Sequence, residues 1–452
     1  MTEKTSDLLE KGTIFKGLIF LAWPVLALNV MQNMVSLADI FFVGKVGVSA
    51  LSAIAISSIV FSIFWSMQGG FMGGSIAMIS RYAGSRNYEK MSRTLFNMTI
   101  VTFLNAVVYV TIMLLFLENI LSFFGAQGET LKSAKEFTVI MLLAFLFASI
   151  LFTFVASFRG AGDNMAPLYL AGTALLINFI LDPVFIFGLL GMPAMGIKGA
   201  AVAYFISIII PCAYVLYRFF SGKGAVRFDP GGLKPDLSIC RKYLLISVPA
   251  MAQGLIANLT VLTMLRIASG YGDEFIAAFG IGGRLDVFVM FFAWSIGSSV
   301  SIMVGHNMGA GRHERPAASI KTGIKMISYV TVSAFILFFI FSERIIGIFN
   351  ADERVVSYGS EYLRHVTPAY ILMGIGIITA MGFNGAGRTK IGMYINLGAF
   401  FALQIPLAVF LTGIPEIAER GIYISIACAF AFQGIAGLVI FKRGKWAKPA
   451  EV

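Results

Sequence analysis

The chain has 452 residues, 58% hydrophobic and only 13% charged, with a mean hydropathy of +0.85; a water-soluble core of ordinary shape cannot hide that much apolar surface, so lipid is its expected solvent. The net charge of +11 lies in short segments beside apolar runs, not on a basic surface interleaved with aromatics, which makes anionic headgroups the expected partner and excludes nucleic acid. Three scattered cysteines, Cys212, Cys240 and Cys428, lack the spacing of a disulfide framework or a zinc site.

Apolar runs long enough to span a bilayer occur near 14–44, 49–80, 94–117, 137–158, 165–190, 196–220, 243–268, 275–304, 317–341, 362–383, 391–412 and 421–441. None has the alternating pattern of a barrel strand, so the expected fold is an all-α membrane protein of twelve transmembrane helices in two pseudo-symmetric six-helix bundles. With the amino terminus inside, Lys and Arg favour the inner segments by about three to one, so both termini are expected in the cytoplasm; the expected location is the cell (inner) membrane. The first thirteen residues are polar and carry no cleavable signal, so the first apolar run is expected to persist as a helix.

The first span carries Pro24, the amides Gln32 and Asn33, and an acid, Asp39, near its outer end. In the second, Gly69, Gly70, Gly73 and Gly74 give overlapping small-xxx-small spacings suited to close helix contact. Arg159-Gly-Ala-Gly-Asp163 reads as a tight inner turn between spans four and five. The fifth span contains Asn178, Asp182 and Pro183; Asn178 and Asp182 are four apart and share a helix face. A carboxylate within a span costs about 2.5–3.5 kcal/mol on insertion scales, and such residues usually face a bundle interior or watery cavity and carry protons or ions. Asp39, Asn178 and Asp182 would supply hard oxygen ligands for a proton or a sodium ion, with no resident cofactor. Pro24 and Pro183 each remove a helical hydrogen bond and give their helices a bend point.

Residues 221–242, rich in Gly, Pro and charge, read as a linker between an amino-terminal lobe, 1–220, and a carboxy-terminal lobe, 243–452. The second lobe repeats the first at an offset of 225 without insertion: Pro24 meets Pro249, Asn33 meets Asn258, Gly84 meets Gly309, Gly160-Ala161-Gly162 meets Gly385-Ala386-Gly387, and Gly196 meets Gly421. Two like helical halves make a cleft between them the expected substrate site. The acids break the repeat, since Asp39 answers to Met264 and Asp182 to Leu407. The eighth span has its own charges, Arg284 and Asp286, two residues apart and therefore not facing each other; structural bonding and a gating or substrate role both remain open for them.

Twelve spans in two repeats, Trp23-Pro24 and Asp39, Arg159-Gly-Ala-Gly-Asp163, Asn178-Phe-Ile-Leu-Asp182-Pro183 and Gly196-Ile-Lys-Gly-Ala-Ala201 together resemble the multidrug and toxic compound extrusion (MATE) family, in its DinF-like prokaryotic branch. The resemblance implies a secondary active antiporter that exports cationic or amphipathic organic compounds in exchange for protons or sodium ions by alternating access. It implies that Asp39 and Asp182 are the coupling acids, with Asn178 alongside; the expected mechanism is that an ion neutralising them lets the first helix bend near Pro24. Gln32, Asn33, Tyr204, Arg284 and Asp286 are the candidates for substrate contact or gating. Where relatives often carry a threonine, this chain has Tyr204, so the resemblance brings no threonine ligand for sodium. An enzyme is not expected, and a monomer is. The alternatives are a lipid-linked oligosaccharide or lipid flippase of the same superfamily, and a membrane channel or receptor.

Overall fold

The structure is a computed structural model in which residues 9–221 and 234–447 are described; most of the expected linker, residues 222–233, lies outside them. Among the described residues twelve helices are long and apolar enough to span a membrane: α1 (Ile14–Gly44), α2 (Val48–Gly84), α3 (Tyr88–Phe123), α4 (Gly128–Gly160), α5 (Met165–Phe187), α6 (Ile197–Phe220), α7 (Leu237–Tyr271), α8 (Asp273–Gly309), α9 (Arg315–Ile340), α10 (Glu353–Gly385), α11 (Thr389–Thr412) and α12 (Arg420–Arg443). The offset of 225 recurs in the element boundaries, exactly so for α2 against α8 and for α4 against α10.

Several helices outrun the apolar windows because polar residues carry them into the interface. Asn87 accepts from the Lys90 amide at 3.0 Å and starts α3 at Tyr88, ahead of its apolar run near 94. Asp352 accepts from the Arg354 and Val355 amides at 2.9 and 3.2 Å and starts α10 well before residue 362. Asp236 does the same for Ser238 and Ile239, so residues from Leu237, expected as the end of the linker, are already helical. The eleventh span departs most from a plain helix, since Leu397–Gln404 in its middle is wound as a π-helix.

By contacts the chain forms two compact units, Trp23–Leu245 and Ile246–Val452 with Asp7–Ala22. In the first unit, α4 packs on α2, α3 and α6, and α5 packs on α6. Polar side chains meet within its apolar interior: Thr138 donates to Ser57 at 2.8 Å, and the Thr102 and Thr153 hydroxyls are 2.9 Å apart. The start of α7 belongs here too, with Arg93 paired to Asp236 at 3.0 Å and the Tyr243 hydroxyl donating to the Phe71 carbonyl at 3.0 Å. In the second unit, α10 packs on α8, α9 and α12. Its Arg315 guanidinium donates to the carbonyls of Leu9 and Gly12 at 3.2 and 2.9 Å, which fixes the segment before α1. The helix α1 thus begins in one unit and continues in the other, and the boundary falls at Trp23, one residue before Pro24.

Candidate functional site

Asp39 stands five residues from the Gly44 end of α1 and Asp182 five from the Phe187 end of α5. At about 1.5 Å rise per residue the two acids are therefore level, because alternate spans point the same way. The α1–α5 contact is made by side chains: Phe42 meets Phe179 and Phe187 with ring centroids 6.1 and 6.2 Å apart, and Met31 lies over Gly172, where a Cβ would be 3.5 Å from its terminal methyl. Met31 and Phe42 flank Asp39 along α1, and between them the two carboxyls come within hydrogen-bonding reach of each other.

Asp182 is 1% exposed and accepts a hydrogen bond from the Asn178 amide, Nδ2 to Oδ1, at 3.0 Å. Oδ1 of Asp39 and Oδ2 of Asp182 are buried and receive no donor. Two ionised carboxylates have only acceptors to offer one another, so their approach is stable when a proton or a small cation lies between them. The orphaned oxygens and the Asn178 carbonyl oxygen are hard ligands fitting either. Tyr204 on α6 has its phenol within Coulombic reach of Asp39.

The remaining candidates divide. Pro24 and Pro183 lie inside α1 and α5, which run through them without a break; by lacking an N–H they release the carbonyls of Phe20 and Phe179. Gln32 and Asn33 are exposed on α1, Asn33 donating to the Asn29 carbonyl at 2.8 Å. Asp286 is committed elsewhere, 6% exposed with both oxygens accepting tyrosine hydroxyls, from Tyr362 and Tyr370, each at 2.6 Å. This ties α8 to α10. Arg284, two residues earlier, is exposed and has no ion pair among the described residues.

Two features went unread in the sequence. The tyrosine partners of Asp286 are far along the chain, and the one local signal is Gly282, where a Cβ would strike the Tyr362 ring. The second unit also holds a chain of amides: Gln253 donates to the Thr389 carbonyl at 2.9 Å and to Asn384 at 3.3 Å, and Gln433 donates to Asn396 at 3.0 Å. Each amide is visible as a polar residue in a span, but not their convergence.

Twelve membrane-length helices among the described residues, in two matching sets of six, the first set holding a pair of facing acids, Asp182 buried and Asp39 half-buried, define a membrane transporter. The chain belongs to the MatE family, whose profile matches residues 24–184 and 249–410, one copy in each half. It is 26% identical over 435 residues to the "Probable multidrug resistance protein YoeA" of Bacillus subtilis, covering 95% of this chain and 93% of that one. It is likewise 26% identical over 412 residues to the "Multidrug export protein MepA" of Staphylococcus aureus, covering 90% of each. A solved structure described as a MOP superfamily transporter from Pyrococcus furiosus superposes with a TM-score of 0.90 at 20% identity over 98% of both chains, a likeness of fold. The protein is thus a multi-pass membrane protein of a multidrug-efflux transporter family, not an enzyme.

Proposed function

We propose that this protein is a secondary active antiporter of the DinF-like branch, exporting cationic or amphipathic organic compounds in exchange for protons or sodium ions by alternating access. It would act in the cell inner membrane with both termini cytoplasmic. The observation that carries the reading is the pairing of Asp39 with Asp182, each with a buried oxygen lacking a donor. Asn178 holds Asp182 in place, and the entering ion screens the two acids from each other. Because α1 begins in one unit and continues in the other, displacement of the units loads the helix near Pro24, and ion binding at Asp39 favours one of its shapes. An ion shifts that balance only by binding one shape more tightly, so ion and drug compete through the conformations of α1 even where their atoms never meet. Gln32, Asn33 and Tyr204 offer polar contacts to the cargo. Sodium and proton are both cargo here, and no resident cofactor is invoked.

The test is transport by purified protein in liposomes with proton and sodium gradients imposed separately. Asp39→Asn and Asp182→Asn should fold, insert and lose gradient-driven efflux, whereas undiminished efflux by both removes them from the mechanism. A lipid-linked flippase would call for several basic residues to hold a pyrophosphate, and Arg284 is the one evident candidate at depth. A channel would let the dye equilibrate and no further, so accumulation against a gradient that collapses with an uncoupler separates antiport from passive flow.

A further inference from the structure

The first unit contains a cavity that the acid pair does not use. The antiparallel helices α5 and α6 pack backbone to backbone at one end and line a groove at the other. Where they touch, Gly199 rests on the backbone of Phe185 and Ile186 so closely that any side chain would overlap it. At the groove, Pro211 stands inside α6 and, lacking an N–H, withholds one helical hydrogen bond there. The groove between them encloses about 560 Å³ and is walled by apolar and aromatic side chains, among them Leu170, Tyr169, Val215 and Tyr214. Tyr169 is 67% and Tyr214 54% exposed, so the groove opens outward.

Charge appears at one end of the groove only, and in both signs. Asp163 sits in the turn between α4 and α5, and Arg218 in the last turn of α6. Both lie at the end that the loop charges assign to the cytoplasmic leaflet. Oδ1 of Asp163 already accepts from the Met165 and Ala166 amides at 3.1 and 3.0 Å, which fixes the carboxylate and leaves its second oxygen for another donor.

We propose that this groove is a binding site for one inner-leaflet phosphatidylethanolamine, with an acyl chain along the α5–α6 wall, the phosphate on Arg218 and the primary ammonium donating to Asp163. A cleft of this volume and apolarity, open between membrane-spanning helices, suits a hydrocarbon chain. The headgroup follows from the two charges: an anionic lipid would set its net charge against Asp163, a lipophilic cation would meet Arg218, and a zwitterion satisfies both. Among zwitterions, a trimethylated ammonium has no N–H to give Asp163, which disfavours phosphatidylcholine. The inference is independent of the proposed ion coupling, so either can fail alone.

Native mass spectrometry of the full chain released from vesicles of equal phosphatidylethanolamine, phosphatidylglycerol and phosphatidylcholine tests it. One phosphatidylethanolamine should be retained in preference to the other two. Asp163→Asn keeps the Oδ1 acceptor for the helix start but removes the charge, and should erase the preference by about tenfold, the worth of one charge-assisted hydrogen bond. Arg218→Gln should weaken all three lipids, and Ala166→Trp, filling the groove, should remove the retained lipid. Equal retention of the three lipids by the unaltered protein, preference for phosphatidylglycerol, or a preference undiminished in Asp163→Asn and Ala166→Trp overturns the proposal. So does a lipophilic cation that displaces the lipid and is itself lost in Ala166→Trp, which would make the groove a drug site.

Discussion

The acids in the spans of this chain have different environments, and hydrogen bonding sorts them. Asp286 has a tyrosine hydroxyl on each oxygen, so its charge is stabilised where it stands and α8 is clamped to α10. Asp39 and Asp182 face one another with an oxygen apiece left over. The first arrangement suits an anchor and the second an exchangeable cation. Tyr370→Phe, which strips one donor from Asp286, should therefore cost about 1–3 kcal/mol of stability, the penalty for an unsatisfied buried acceptor. A lower thermal midpoint in nanodiscs with coupled efflux retained per folded molecule is the expected result; loss of coupling at unchanged stability would move Asp286 into the transport machinery. From sequence the two kinds of acid look alike, each an isolated carboxylate in an apolar run. The failure of the repeat at Asp39 and Asp182 singled those positions out, because a duplicated scaffold does not need what only one copy has. Asp286 breaks the repeat as well, against Phe61, and apart from Gly282 nothing local in the sequence announced Tyr362 and Tyr370.

Among the elements, number and order were legible because twelve apolar runs have no alternative in lipid but to be helices. Their ends were not, since side-chain caps such as Asn87, Asp236 and Asp352 extend them through residues that a hydropathy window counts as loop. Nor was the π-wound stretch of α11, a matter of backbone winding that apolar composition leaves undetermined. The spacing of α5 from α6 rests on Gly199, and Gly199→Ala should push the helices apart and cost about 1–3 kcal/mol by overpacking, seen as a lower thermal midpoint. In α1 the device is Pro24. Pro24→Ala restores a donor for the Phe20 carbonyl and stiffens the helix where it leaves one unit for the other, so turnover in liposomes should fall while equilibrium drug binding holds. Unchanged turnover would show that α1 need not bend there.

For the whole molecule, the claim of antiport is a claim about linkage. If a bound ion weakens drug binding by some factor, thermodynamics requires the drug to weaken ion binding by the same factor, and couplings of about 1–3 kcal/mol, or about 5–150-fold, are ordinary. The sign follows from charge: a proton or sodium ion between Asp39 and Asp182 removes the negative potential that a cationic compound would feel in the first unit. Affinity for a cationic dye should therefore fall as the pH is lowered if the proton couples, or as sodium is added at constant ionic strength if sodium does, and a dye that binds should release the ion in the same proportion. The doubly substituted Asp39→Asn, Asp182→Asn protein should bind dye with an affinity insensitive to either ion. Arg284 adds a contrast, because an exposed cation with no ion pair among the described residues penalises cationic cargo by a term that neither ion relieves, so Arg284→Gln should raise affinity for the cationic dye at every pH without altering the ratio between acid and alkaline conditions. A change in that ratio would place Arg284 inside the coupling itself. Dye affinity in the unaltered protein that ignored both ions would leave the acid pair a feature of the scaffold, since an ion with no differential affinity for two states moves nothing.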